Sequence, residues 1–132
     1  MSKYVIDAWA WIEYMIGSEP GATVKGTLEN ESNEVFTCAV TLAEIISKVG
    51  REGRDIEEAY ALLLSDSQII NADEDLSKNA GVIHAQMKSK EKDFGLADAY
   101  VLASARKLKA KILTGDAHFK NVKEAVLINR NI

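Results

Sequence analysis

Four acidic residues stand where an apolar run gives way to a helix, or where a helix opens. Asp7 directly follows Tyr4-Val5-Ile6. Glu44 lies in the first turn after Val35-Phe36-Thr37-Cys38. Asp98 opens an alanine-rich segment, and Asp116 comes two residues past Lys111-Ile112-Leu113-Thr114. Taken singly, each acid is accounted for by capping, since a carboxylate at a helix N-terminus accepts from free backbone N–H groups and gains roughly 0.5–2 kcal/mol. Thr41 and Glu44 even have the spacing of a capping box. Taken together they suggest different chemistry. Converging carboxylates repel, and burying an unpaired one costs several kcal/mol. No Lys or Arg lies within four residues after Asp7 or within three of Glu44. Such a cluster needs a cation, and oxygen ligands without Cys or His favour Mg2+ or Mn2+ over zinc. His84 and His118 fit no zinc-binding spacing. A metal held this way suits phosphodiester hydrolysis. It lowers the pKa of bound water and neutralises charge growing on the phosphate, and a second ion about 3.5–4 Å away would stabilise the leaving oxygen.

The elements that must position these acids alternate along the chain. Strands are expected at Lys3–Ile6, Val35–Cys38, Gln68–Asn71, Lys111–Thr114 and Val126–Ile128. Helices are expected over Ala8–Ile16, Ala22–Glu29, from Thr41 to Gly50 or Gly53, from Asp55, over Asp73 to about Lys90, and over Ala97–Lys109, with a helical turn over Ala117–Val122. The strands are short and nearly all apolar, as in a parallel sheet covered on both faces. The expected fold is therefore a three-layer α/β/α domain with a central parallel sheet of about five strands. In such a sheet all carboxyl ends share one edge, and ligands bind where strand order reverses. Asp7, Glu44 and Asp116 share that edge if the sheet is parallel. Asp98 joins them only if its helix starts over the same end.

Composition narrows the class. At 132 residues, with 47% hydrophobic and 27% charged, the chain is expected to be one domain over 1–132 rather than a disordered segment. No glycine-rich phosphate loop of the GxGxxG or GxxxxGK[ST] type is present. No apolar run approaches the roughly 20 residues that cross a bilayer. The N-terminal residues do not form a signal peptide, and the lone Cys38 cannot make an internal disulfide, so no membrane association and a cytoplasmic location are expected. The net charge of −4 is unevenly spread. Residues 1–66 carry 5 basic and 12 acidic side chains, residues 67–132 carry 11 and 8. Lysines cluster at Lys88, Lys90, Lys92 and at Lys107, Lys109, Lys111. They form either a solvated helix face or a rim for a phosphate backbone.

Four stretches, in this order, resemble the PIN domain family. They are Val5-Ile6-Asp7 followed by an apolar helix, Thr41-Leu42-Ala43-Glu44, Leu96-Ala97-Asp98-Ala99-Tyr100-Val101-Leu102-Ala103, and Ile112-Leu113-Thr114-Gly115-Asp116-Ala117-His118-Phe119. The resemblance runs from Tyr4 to about Ile128. It implies a metal-dependent ribonuclease with Asp7, Glu44, Asp98 and Asp116 around one or two Mg2+ or Mn2+ ions. It implies RNA as substrate. Small members are often the toxin of a VapBC-type toxin–antitoxin pair, commonly homodimers restrained by a small antitoxin protein that covers the site. It also implies that the first and fourth strands are neighbours, setting Asp7 beside Asp116.

The chain departs from the family pattern at three positions. Ala8 and Trp9 stand where many members carry polar residues, and His118 stands where many carry a further acid, which removes one ligand. Thr114 is retained and suits a hydrogen bond to a ligand carboxylate or bound water, although a plain strand-end threonine fits as well. The alternative is a degenerate PIN-like module that binds RNA or protein without metal. A phosphatase built on Asp7 would want a second Asp where Trp9 stands. Trp9, Trp11 and Tyr14 are expected in the core, Asp93 in a loop or cap, Cys38 buried in its strand, and His84 on its helix.

Overall fold

Nearly all-apolar strands need cover on both faces, and the computed structural model, which describes residues 2–128, supplies it. The chain runs β1 (Lys3–Ile6), α1 (Ala8–Ile16), α2 (Glu19–Glu29), β2 (Glu34–Cys38), α3 (Ala39–Arg51), α4 (Ile56–Asp66), β3 (Gln68–Ile70), α5 (Glu74–Lys88), α6 (Leu96–Leu108), β4 (Lys111–Thr114), a 3-10 turn (Ala117–Phe119) and β5 (Ala125–Leu127). The five strands form one sheet in the order β3-β2-β1-β4-β5, and every pairing is parallel. Side chains alternate across it. Val5, Phe36, Cys38 and Ile112 pack with α5 and α6. Ile6, Val35 and Leu113 pack with α1 to α4. The three-layer α/β arrangement expected from the strand and helix pattern is therefore present. No helix among the described residues is long and apolar enough to cross a membrane.

Several element starts differ from those expected by a residue or more, and three of the helix starts have a local reason. α2 begins at Glu19 rather than Ala22. Pro20 fits the first turn, where no N–H is needed, and the Ser18 side chain accepts from the Gly21 N–H. α6 begins at Leu96, with Gly95 as its cap. α3 begins at Ala39, directly off the end of β2, with Cys38 as its cap and no side-chain capping bond. Thr41 is thus inside the helix, buried, and its hydroxyl has no hydrogen-bond partner. The capping box read from Thr41 and Glu44 does not form, and Glu44 falls in the second turn of α3 rather than the first.

Close helix approach sets the layer on the α1 side. A Cβ on Gly21 would lie 2.3 Å from the Glu13 carbonyl oxygen, so α1 and α2 meet backbone to backbone there. Trp11 is fully buried and donates its Nε1–H to Thr37 Oγ1 at 3.0 Å, tying α1 to β2. Trp9 and Tyr14 are only half-buried. Cys38 is free and buried.

Candidate active site

The sheet order puts β1 between β2 and β4, so the chain's direction of strand addition reverses at β1/β4. Asp7 is the first residue past β1, and its backbone N–H bonds the Leu113 carbonyl of β4. The carboxylate is almost wholly buried, 5% exposed. Oδ1 accepts from the Ala10 N–H at 2.9 Å, capping α1. Oδ2 accepts from the Thr114 hydroxyl at 2.5 Å. The same hydroxyl oxygen accepts from the Asp116 N–H at 3.0 Å. Thr114, at the end of β4, therefore couples Asp7 to the backbone of Asp116 across the switch point.

Asp98 reaches the same edge because α6 starts there. Its Oδ2 accepts from the Gly95 N–H at 2.8 Å, closing the helix's first turn. The same oxygen lies 2.9 Å from Nδ1 of His118, and that nitrogen is 3.4 Å from Asp116 Oδ1. Asp116 in turn accepts from the His118 backbone N–H at 2.9 Å. Asp98, Asp116 and His118 each offer an atom within 4.8 Å of the others. Two buried rings clamp these loops together. Phe94, just before Gly95, meets Phe119, just after His118, edge to face at 5.7 Å between centroids. The sequence reading treated His118 as a lost ligand. The structure turns its ring into the acidic cluster, and the signal that would have found it is the apolar Phe119 beside it, which fixes the 3-10 turn.

Glu44 stands at the exposed rim, on α3. Partial withdrawal from water, then the charges of Asp98 and Asp116, raise its carboxyl above the usual range. Burial likewise raises Asp98, opposed by the Gly95 and His118 hydrogen bonds. Asp7 is pushed up to about 7, chiefly by burial, against the hydrogen bonds from Thr114 and Ala10. For His118, burial disfavours the cation, but the Asp98 hydrogen bond and the charges of Asp116, Asp98 and Asp93 outweigh it, and its pKa is raised. Among the described residues no Lys or Arg pairs with any of the four acids. The cluster is short of positive charge.

Trp9 borders this edge. A Cβ on Gly115 would lie 2.2–2.6 Å from three atoms of its six-membered ring, so the indole rests on the glycine next to Asp116. A cavity of about 360 Å3 lined by Ala8, Trp9, Ile12, Glu13, Lys48 and Asp116 opens there. The two lysine clusters separate. Lys88, Lys90 and Lys92 lie at or just past the end of α5, on the stretch leading to Gly95. Lys109 and Lys111 lie at the amino end of β4, across the sheet from the acids, so they form no rim for them.

A family model described as PIN domain matches residues 4–125. No curated protein matches by sequence. Several solved structures share the fold. A toxin–antitoxin complex from Klebsiella pneumoniae contains a chain 18% identical, with a TM-score of 0.71 over 95% of this chain and 97% of that one. VapBC2 from Rickettsia felis, bound to a DNA fragment from its promoter, gives 17%, 0.71, 95% and 96%. The Mycobacterium tuberculosis toxin VapC20, described as cleaving the sarcin-ricin loop, gives 20%, 0.65, 82% and 85%.

Proposed function

The chain belongs to the PIN domain family, and on that premise we propose that it acts as a single-domain, metal-dependent ribonuclease, the toxin of a toxin–antitoxin pair. The observation that carries this reading is the meeting of Asp7, Asp98 and Asp116 at the carboxyl edge of the β1/β4 switch point, with Glu44 raised by burial and then by the charges of two of them. Of the similar structures, the one from M. tuberculosis is a toxin that cleaves the sarcin-ricin loop, which supports RNA as the substrate class.

The residues fit a divalent cation. Asp98, Asp116 and His118 offer two carboxylate oxygens and one imidazole nitrogen within 4.8 Å of one another, and burial raises Asp7 and Asp98 beside them. Asp7, Glu44, Asp98 and Asp116 would hold Mg2+ or Mn2+. Such an ion supplies an activated water and neutralises charge developing on the phosphate. The protein's own part is to fix the acids. Thr114 and the Ala10 N–H each donate to one Asp7 oxygen and fix the carboxylate at the end of β1. Gly95 holds Asp98. Glu44, on the rim, would be a ligand or would orient the attacking water. Trp9 and Lys48 line the cavity beside Asp116, which would give an RNA strand room to pass.

An antitoxin protein is the proposed partner, since the Klebsiella and Rickettsia structures are toxin–antitoxin and VapBC assemblies. The apolar groove of about 520 Å3 between α3 and α4, lined by Leu42, Ala43, Ile46, Ile56 and Tyr60 next to Glu44, gives it surface to cover. Homodimerisation and a cytoplasmic location belong to the same proposal.

The test is cleavage of a structured RNA pool by purified protein in Mn2+, Mg2+ or EDTA, with Asp98→Asn prepared alongside. Cleavage by wild type in metal alone is expected, with at least a 100-fold loss in the variant, as removal of a group acting on the transition state gives. Cleavage that persists in EDTA or in Asp98→Asn refutes the reading. RNA binding without metal dependence would instead favour the degenerate module.

A further inference from the structure

His118 replaces an oxygen donor with a nitrogen donor inside an otherwise all-carboxylate cluster, and its ring is held there from three sides. Its backbone N–H bonds Asp116 Oδ1 at 2.9 Å, Phe119 anchors the next position against Phe94, and Nδ1 points at both Asp98 Oδ2 (2.9 Å) and Asp116 Oδ1 (3.4 Å). Adjacent ligand atoms around one six-coordinate ion, each at about 2.0–2.1 Å from it, stand about 3 Å apart. Nδ1 stands at about that distance from each of the two oxygens, and all three residues offer atoms within 4.8 Å of one another. Imidazole is a poor partner for Mg2+, which prefers oxygen and water, and a good one for first-row transition ions. A positively charged His118 would do the opposite, filling the cation's place.

We infer that His118 is a further metal ligand, alongside the four acids and next to Asp98 and Asp116, and that it makes this site select Mn2+ over Mg2+. The inference rests on the metal-site reading above and deepens it by ranking the two ions. In this arrangement Nδ1 gives its lone pair to the ion, the ring proton sits on Nε2, and the hydrogen bond to Asp98 is replaced by a shared ligand sphere. His118 is then not a missing ligand of the family pattern but a substituted one.

Calorimetric titration of the full chain with MnCl2 and, separately, MgCl2 tests this without recourse to catalysis. His118→Ala and His118→Asp are compared with wild type, each checked for folding by circular dichroism. Asp98→Asn serves as the control that should lose both ions. Wild type should bind Mn2+ more tightly than Mg2+. His118→Ala should weaken Mn2+ by about tenfold or more and Mg2+ by much less, and His118→Asp should recover Mg2+ binding while losing the preference. If His118→Ala leaves both affinities unchanged, or tightens them, His118 is an internal counter-charge and the inference falls while the metal site stands. If wild type binds neither ion, the metal-site reading falls with it.

Discussion

Asp7→Asn should stabilise the metal-free protein at neutral and alkaline pH, although it removes an acid from the centre of the site. Burial raises the folded-state pKa of Asp7 from the unperturbed 3.8 to about 7. A carboxyl raised on folding binds its proton more tightly in the native state. Its contribution to stability is therefore full below about pH 4, is lost as pH rises towards 7, and levels off above that. The gap amounts to about 4 kcal/mol of burdened native state at pH 8. Asparagine carries no charge and keeps an oxygen for the Ala10 N–H, but it disturbs the Thr114 bond, at a cost of about 1 kcal/mol. The net gain at pH 8 should be about 2–3 kcal/mol. The assay is urea unfolding of both proteins in EDTA at pH 8 and pH 5. The advantage of the variant should shrink by about 2–3 kcal/mol at pH 5, where native Asp7 already holds its proton. Most other titrating groups are common to both chains and cancel in the difference. A stability difference that is the same at both pH values would refute the reasoning. Added Mn2+ should reverse the order by stabilising wild type and not the variant.

Thr114→Val removes the donor that opposes the rise of Asp7 and the acceptor of the Asp116 N–H, so Asp7 should rise further. The pH at which Mn2+ binding is half-maximal should move up by about one unit, and Thr114→Ser should restore it, as read by calorimetry across pH. Gly115→Ala should cost about 1–3 kcal/mol in thermal or urea unfolding, because its methyl would lie 2.2 Å from the Trp9 ring. Trp9→Ala in the same chain should recover part of that loss, and strict additivity of the two changes would show that the contact is not what excludes the methyl.

Some of this molecule is written locally. The apolar strands announce a sheet covered on both faces, the alternation of strands and helices announces its parallel sense, and an acid after a strand end announces the edge where Asp7 and Asp116 meet. Helix starts were less legible where a cap competes with a continuous run. Thr41 and Glu44 have the spacing of a capping box, yet β2 passes straight into α3 and Thr41 is buried inside the helix. Other features depend on contacts that no window of sequence contains. Thr114 meets Asp7 across 107 residues, His118 meets Asp98 across 20, and Trp9 lies on Gly115. The two lysine clusters, alike in sequence, fall on different elements, one at the end of α5 and just past it, the other from the end of α6 to the start of β4. Sequence by itself determined the elements and which acids stand at strand ends, because periodicity and strand-end position act over a few residues. Tertiary structure alone decided that Asp98 comes over the same edge, that His118 faces inward and that Asp7 is buried enough to hold its proton near pH 7. Those outcomes follow from strand order, from the Phe94–Phe119 clamp and from desolvation, which depend on what the rest of the chain packs around each group.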